Sequence, residues 1–504
     1  MKLLGIDVGT TGTRAVMIDE AGRMTESATS EHAPFASPHI GWAEQDPRDW
    51  WRAAGEAVRE TLAMSGTPAV EIACVGLSGQ MHGAVLLDER EEPLRPAIIW
   101  CDGRTSEQCR QLTERVGAKR LIELVSNPAL EGFTLPKLLW VREHEPELWK
   151  RVRGVMLPKD YVRLRLSGER AIDVADASGT LLFDVGRRAW SREMLDAVEI
   201  EEKLLPTVYE SQEVCGRVSA AGAAATGLRE GTPIVAGAGD QAAGAVGLGV
   251  VKPGAVSATI GTSGVVFAAT DRPAFDKRGR VHTFCHAVPD RWHVMGVTQG
   301  AGLSLRWFRD QFGGLDNGDE ATGDDAYERL CSQAASIPAG ADGLLWAPYL
   351  MGERTPHLDP LARAALVGLT ASHTRAHVVR AILEGVAFSL RDTLTIFAEM
   401  HVPVETILLG GGGARSSLWR QIQADVYGRA VETVAVDEGA AYGAALLAGV
   451  GCGAWPSVDV ACAQAVRVAS RLEPDPAATQ LMNRRYDAFR AVYPALRDIF
   501  RPGS

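Results

Sequence analysis

The sequence predicts an α/β protein built from two related halves that face each other across a cleft, and three features predict it. A glycine-threonine loop occurs twice. Asp7-Val8-Gly9-Thr10-Thr11-Gly12-Thr13-Arg14 follows the apolar run Leu3-Leu4-Gly5-Ile6, and Gly261-Thr262-Ser263-Gly264 follows Val256-Ser257-Ala258-Thr259-Ile260. The loops begin at Gly9 and Gly261, half of the 504-residue chain apart. Short apolar strands alternate with helical segments throughout, which points to layered α/β architecture. The chain is also too long for one core, since domains usually hold roughly 100 to 200 residues.

Residues 2–7, 13–18 and 27–33 read as a three-strand meander, with Asp19-Glu20-Ala21-Gly22 its plainest turn. Asp46-Pro47 opens a helix, because proline's missing N–H costs nothing in a first turn, and Trp50, Trp51, Ala54, Val58, Leu62 and Met64 follow near helical spacing. Residues 72–77 form a buried strand ending at Ser78-Gly79-Gln80-Met81-His82-Gly83, with short strands at 85–87 and 98–100 and a helical region from Ser106. A strand at 233–236 ends in Gly237-Ala238-Gly239-Asp240-Gln241, and the small residues of 242–248 form a helix able to pack closely. The halves divide here, into residues 1–245 and 246–504.

The second half repeats the order, with strands at 255–260, 264–268 and 293–297 and a helix over 302–312. Helix 377–400 sets Val378, Ile382, Leu383, Val386, Leu390, Leu394 and Phe397 on one stripe, with Arg380, Glu384 and Arg391 off its centre. A strand at 407–409 leads into Gly410-Gly411-Gly412-Gly413-Ala414, and Ser416 or Ser417 caps the helix that carries Trp419 to Tyr427. A last small-residue helix, 439–449, is expected to cover this half.

Composition excludes several classes. The formal charge is −11 and no lysine/arginine block stands out, which argues against nucleic acid or an anionic membrane as partner. Asp7 interrupts the N-terminal apolar stretch, and no uncharged segment approaches the ~20 residues of a spanning helix. Eight cysteines are scattered without a Cys-x-x-Cys pair, as reduced thiols of a cytoplasmic protein would be.

Glycines let backbone N–H groups approach an anion and threonine adds a hydroxyl donor, so both loops suit phosphates, although a single Gly-Thr turn is usually structural. Four glycines before a helix offer bare backbone for adenine or its ribose, and equally a tight strand-helix turn. Gly-x-x-x-x-Gly-Lys-Ser/Thr occurs nowhere, so nucleotide binding would have to be actin-like. Asp7 and Asp240 each end an apolar strand beside glycine. Phosphoryl transfer needs one carboxylate for hydrated Mg²⁺ and another to accept the attacking hydroxyl's proton. Asp7, beside the loop, suits the metal, and Asp240, followed by the amide Gln241, suits the base; either residue alone could be a turn or capping aspartate. Gln80, Met81 and His82 form a set suited to sugar hydroxyls, although a lone histidine is more often structural. No Gly-x-Ser-x-Gly elbow or His-Glu-x-x-His helix is present, which weighs against hydrolases.

Taken together, these segments resemble the FGGY carbohydrate kinase family along essentially the whole chain. The markers are the Asp7 loop, Trp42-x-Glu44-Gln45-Asp46-Pro47, Ser78 to Gly83, Leu157-Pro158-Lys159-Asp160-Tyr161, Gly239-Asp240, the Gly261 loop, Gly352-Glu353-Arg354-Thr355-Pro356-His357 and Gly410 to Ser416. Residues 132–144 and 364–384 are similar to the family's signature stretches. The resemblance implies two ribonuclease H-like domains of actin/hexokinase type with an interdomain active-site cleft. Sugar and catalytic carboxylates would belong to 1–245 and the nucleotide to 246–504. It implies ATP as co-substrate, Mg²⁺ at Asp7, and Asp240 as the base for a sugar's 5-hydroxyl. By position, Met81, His82, Gln80 and Gln241 match sugar-side residues. Thr11 and Arg14 match a phosphate site, Thr262 the second phosphate loop, and Gly412, Gly413 and Ser416 the nucleotide region. Gln80-Met81-His82-Gly83 matches members that act on D-xylulose rather than glycerol, while Gln241 replaces an asparagine common among them. Ribulose, xylitol, deoxyxylulose and gluconate are the alternative acceptors. A non-catalytic sugar or nucleotide sensor is the reading from another class, and a homodimer is the assembly to test.

Overall fold

The protein is described by a computed structural model that covers residues 1–312, 324–436 and 439–501. The first half contains β1 (Lys2–Val8), β2 (Gly12–Asp19), β3 (Met24–Glu31), β4 (Ile72–Gly79), β5 (Val214–Arg217), β6 (Pro233–Val235) and β7 (Ala238–Gly239). They form one seven-stranded sheet in the order β5-β6-β4-β1-β2-β3, with β7 paired to β4. The second half contains β8 (Gly254–Ile260), β9 (Gly264–Thr270), β10 (His282–Cys285), β11 (Trp292–Thr298), β12 (Val404–Gly411), β13 (Val431–Val434) and β14 (Val468–Leu472). Their order is β10-β11-β9-β8-β12-β13-β14.

The repeat is topological and reaches into the register. In each half an antiparallel meander is extended by a parallel strand on the far side of its first member. Both parallel pairs slip by one residue at the residue that opens the meander: Lys2 faces Ile72 but Leu3 faces Cys74, and Gly254 faces Val404 but Ala255 faces Thr406. The loops themselves differ. The first is closed by the pair Val8 and Thr13, whereas the second is one residue tighter and closed by Ile260 and Gly264.

Local sequence explains the main helices. α1 (Pro47–Ser65) starts where the Asp46 carboxylate accepts from the Arg48 amide and stops at Gly66, whose φ of 63° suits a residue without Cβ. Trp50, Ala54 and Val58 are buried as the spacing predicts, but Met64 faces solvent. α2 (Thr134–His144), α3 (Pro158–Ser167) and α4 (Val174–Ser178) lie in the segment between β4 and β5. α5 (Asp240–Leu248) begins at Asp240 itself, so that residue opens a helix rather than ending a strand, and the division between residues 245 and 246 falls inside this helix. In the second half lie α6 (Ala301–Phe312), α7 (Arg375–Glu399), α8 (Ser417–Tyr427), α9 (Gly439–Gly451) and α10 (Pro476–Leu496).

Two expectations change. α9 does not cover the second sheet: it packs on β1 and β4 of the first and against α5. The cause is a set of glycines that brings backbones together. A Cβ on Gly5 would collide with the Ala441 carbonyl oxygen, one on Gly76 with that of Ala444, and one on Gly443 with that of Ala243. Gly5 and Gly76 are register partners, so α9 rests on a glycine pair. In α7, Arg380 and Glu384 are buried rather than peripheral, because the helix is covered on more than one side. Their i,i+4 pairing, Arg380 Nε to Glu384 Oε1 at 2.6 Å, makes that burial tolerable.

One apolar cluster spans the halves. Phe267, Phe284, Met295, Val297 and Leu408 of the second sheet pack with Met81, Phe133, Leu135 and Leu138 of the first half. At the sheet edge, the Asn127 amide donates to the Thr283 carbonyl (2.8 Å) and accepts from its N–H (3.1 Å), standing in for a strand partner of β10. The eight cysteines are free thiols, and among the described residues no helix is long and apolar enough to cross a membrane.

Gly443→Ala is therefore expected to destabilise the protein by about 1–3 kcal/mol or more, because the intruding Cβ meets helix backbone. Gly244→Ala in α5, where a Cβ would meet nothing within 4 Å, is expected to be neutral or stabilising by up to about 1 kcal/mol. Thermal unfolding of the two variants without ligands checks the pair; equal shifts would contradict the packing argument.

Candidate active site

The sheet register assembles the carboxylates. Asp7, near the end of β1, has Arg14 of β2 as its partner on one side and Ser78 of β4 on the other. β7 then runs beside β4, with Ala238 opposite Ser78 and Gly239 opposite Gly79, and the next residue is Asp240. Asp7 and Asp240 thus occupy the same edge of the sheet on either side of β4, two inter-strand steps or roughly 10 Å apart along the backbone.

Burial pushes the Asp7 carboxyl up to about 6, against the downward pull of the Ser78 hydroxyl and the Arg14 guanidinium. Its Oδ1 is buried without a hydrogen-bond partner. Burial and then the negative charge of Asp7 push Asp240 up to about 7, opposed by Gln241, whose Nε2 donates to Asp240 Oδ2 at 3.3 Å. The charge of Asp7 thus adds to the effect of burial on Asp240. A carboxylate poised near neutral pH is suited to taking a proton, and one with an orphaned oxygen is suited to a cation.

The first loop is braced by side chains. Gln45 Nε2 donates to the Thr10 carbonyl (2.7 Å), Trp100 Nε1 to the Thr10 hydroxyl (3.0 Å) and Trp50 Nε1 to Gln45 Oε1 (3.2 Å). Gln80 joins this brace: its Nε2 donates to Gln45 Oε1 (2.9 Å) and to the Gly9 carbonyl (3.2 Å). Gln80, expected on the sugar side, thus turns its amide to the loop, because its backbone N–H is held by Val8 beside that loop. Thr11 sits on the exposed tip, and Arg14 lies beside Asp7 with Nη2 donating to Ser27 Oγ (3.2 Å).

Met81 and His82 follow Gln80 just beyond the C-terminal end of β4, the same end as Asp240. His82 adopts φ of 68°, and its Nδ1 donates to the Gly179 carbonyl at 2.8 Å, which leaves Nε2 as an acceptor. Its own carbonyl accepts from Lys137 Nζ (2.9 Å) and Thr134 Oγ1 (3.2 Å). Burial, helped by the charges of Lys137 and Arg354, pushes the imidazole down to about 3, so it is neutral at physiological pH. Met81 lies against Gly239, where a Cβ would come within 2.8 Å of Met81 Cγ and 2.9 Å of Asp176 Oδ1.

Behind Gly239 is a charged cluster that spacing arguments miss, because its members come from separate elements. Lys159 Nζ meets Asp160 (2.6 Å), Asp173 (2.5 Å) and Asp176 (2.9 Å), and Arg163 pairs with Asp160, with every side chain fully buried. The three carboxylates have metal-like spacing, but the Lys159 ammonium lies among them. Asp173 also caps α4, accepting from the Ala175 (2.8 Å) and Asp176 (2.9 Å) amides.

On the second half a cavity of about 570 Å³ collects Thr262, Gly412, Gly413 and Ser416. Gly413 packs on Ile260, where a Cβ would come within 2.6 Å of the Ile260 Cβ, and Ser416 caps α8 by accepting from the Trp419 amide (3.3 Å). The second loop is held by the start of α6, since the Gly302 and Leu303 amides donate to the Gly261 (2.9 Å) and Thr262 (3.1 Å) carbonyls. Arg306, Tyr327 and Cys331 complete the lining and carry no sequence motif.

Residues 2–247 match the FGGY family of carbohydrate kinases, N-terminal domain, and residues 256–452 its C-terminal domain. A xylulose kinase of Bacillus subtilis is 39% identical over 497 residues, covering 99% of this chain and 97% of that protein. A gluconokinase of the same organism is 32% identical over 449 residues, covering 88% and 86%. The crystal structure of xylulose kinase from Rhodospirillum rubrum superposes with a TM-score of 0.90 at 31% identity, covering 99% of this chain and all of that one (100%).

The raised pKa of Asp240 carries a stability cost with a defined sign. An unfolded aspartate titrates near 3.8 and the folded one near 7, so the folded state holds the extra proton between those values. Asp240 therefore stabilises the fold less and less as pH rises from about 4 to about 7, and the loss is complete above that. Asp240→Asn is expected to raise stability at pH 8 by on the order of 1 kcal/mol or more, and to change little near pH 4. Thermal unfolding at the two pH values tests this, and a less stable variant at pH 8 would contradict it.

Proposed function

The chain belongs to the FGGY family of carbohydrate kinases, and from that premise we propose that it transfers the γ-phosphoryl group of ATP to the 5-hydroxyl of D-xylulose, yielding D-xylulose 5-phosphate and ADP. The observation that carries the reading is Asp240, held at the edge of the first sheet with its carboxyl near neutrality by burial and by Asp7. Asp240 takes the proton of the 5-hydroxyl as that oxygen bonds the γ-phosphorus and the bond to the bridging oxygen of ADP breaks. Gln241 orients the base through its 3.3 Å bond. His82, neutral and with Nε2 free to accept, receives a sugar hydroxyl. The loops at Gly9 and Gly261 face phosphates, and the cavity at Gly412, Gly413 and Ser416 takes the adenosine. The orphaned Oδ1 of Asp7 fits Mg²⁺, which when bound would neutralise phosphate charge.

Xylulose ranks ahead of gluconate on the identities of 39% and 32%. The extra methylene of Gln241 does not by itself argue for another acceptor, because its amide returns to Asp240. Eight free thiols support a reducing compartment, the cytoplasm.

ADP-coupled turnover of a sugar panel tests the acceptor, and a higher kcat/KM for ribulose, xylitol or gluconate would replace xylulose. Asp240→Asn is expected to lower kcat by about 10²–10⁴-fold while leaving nucleotide affinity nearly unchanged. The base must be unprotonated, so kcat/KM should rise with pH through about 7 and then level. Asp7→Asn removes the like charge and should move the residual rise to lower pH; a shift upward would contradict the coupling.

A further inference from the structure

Arg354 lies in the second half, in a segment stapled to β11: the Thr355 amide donates to the Val297 carbonyl (2.9 Å) and the Val297 amide to the Thr355 hydroxyl (3.1 Å). Its guanidinium reaches into the first half, where a Cβ on Gly132 would come within 3.4 Å of Arg354 Nη2. Among the described residues that side chain makes no hydrogen bond or ion pair; the bonds of Arg354 are made by its backbone, the N–H to Glu353 and the carbonyl accepting from the Leu358 amide (2.7 Å). The nearby carboxylates of Glu131 and Glu353 act on the guanidinium through space without pairing with it, and Glu353 is committed to Thr298 (2.5 Å) and the Gln299 amide (3.0 Å), with burial pushing it up to about 8. Lys137, the neighbouring cation, is already spent on the Gly132 (2.6 Å) and His82 (2.9 Å) carbonyls.

A line of neighbours therefore runs from the base to this cation: Asp240 follows Gly239, Gly239 abuts Met81, His82 follows Met81, and Lys137 ties His82 to Gly132 beside Arg354. A second unspent group lies at the same end. His282 is 1% exposed with both ring nitrogens unpartnered, and Phe133 separates it from His82 with ring centroids 5.5 and 4.8 Å away. A partly buried guanidinium has five donors and no acceptor role, so leaving it without oxygen partners costs free energy that a ligand can recover. An extended pentulose whose 5-hydroxyl meets Asp240 carries its C1 hydroxyl and C2 carbonyl at the far end.

We propose that Arg354 is a specificity residue that binds the C1–C2 oxygens of the acceptor, completing from the second half a sugar site otherwise built by the first. This rests on the ketose kinase reading. The probe pair is D-xylulose and 1-deoxy-D-xylulose, which lacks the C1 oxygen. The unaltered protein is expected to favour D-xylulose by about 10-fold or more in kcat/KM, as a charge-assisted hydrogen bond provides. Arg354→Gln should bring that ratio within about threefold, mainly by raising the KM for D-xylulose, with the KM for ATP unchanged. Equal losses on both sugars, with the ratio kept, would overturn the assignment and leave the kinase reading intact. No turnover of D-xylulose by the unaltered protein would overturn both. Should Arg354→Gln fail to fold, Arg354→Lys retains a cation but not the planar fork, and an unchanged ratio in that variant would overturn the assignment as well.

Discussion

The contact on which the structure depends is the backbone approach of α9 to the glycine pair Gly5 and Gly76, together with its approach to α5 at Gly443. Side chains alternate along a strand, so Asp7 shares the face of Gly5, and Ser78 shares the face of Gly76. α5, whose main packing partner is α9, begins at Asp240. One packed layer of small residues therefore sets the position of both acids and of the serine beside Asp7. Side chains in that layer would push the helices off the sheet and spread the two carboxylates. α9 is consequently a part of the site as much as of the core, although none of the candidate site residues belongs to it.

Electrostatics build on that placement. Two acids at one sheet edge are both pushed up by withdrawal from water, Asp240 further by the charge of Asp7, and the fold bears the cost. A few ångströms behind, Asp160, Asp173 and Asp176 would add three more charges, yet Lys159 and Arg163 hold them within a closed cluster. The protein's own ammonium does there what a bound cation would otherwise do. It keeps the floor under Met81 rigid without filling the site with negative charge. Buried charge thus serves two ends, one pair left reactive and one cluster compensated.

The two halves share a topology and differ in how they hold their loops. The first loop is braced by Gln45, Gln80, Trp50 and Trp100, whereas the tighter second loop hangs from the first turn of α6. The shared apolar cluster and the Asn127 bridge bring β10 and β11 against Met81 and Phe133 of the first half. Residues such as His282 and Arg354 therefore reach Phe133 and Gly132 of the first half although they belong to the other half. The two halves share a frame, and the edge of the second sheet lies as a wall against the first half.

Local chemistry made much of this legible in the residues themselves. The alternating apolar strands, the paired loops, the Asp46-Pro47 helix start and the Ser416 cap depend on neighbours a few positions apart, and each appears where those neighbours put it. The gathering of Thr262, Gly412, Gly413 and Ser416 in one cavity follows from the repeat combined with the family resemblance. What tertiary structure alone decided concerns partners far apart in the chain: which sheet α9 covers, that Gln80 braces a loop, that Lys159 meets three acids, and that Arg354 reaches Gly132. Spacing in a sequence reports on periodic elements, whose contacts are local. The use of a polar side chain depends on which distant oxygen or nitrogen the packing of glycines and helices brings within 3 Å, and no period in the sequence encodes that.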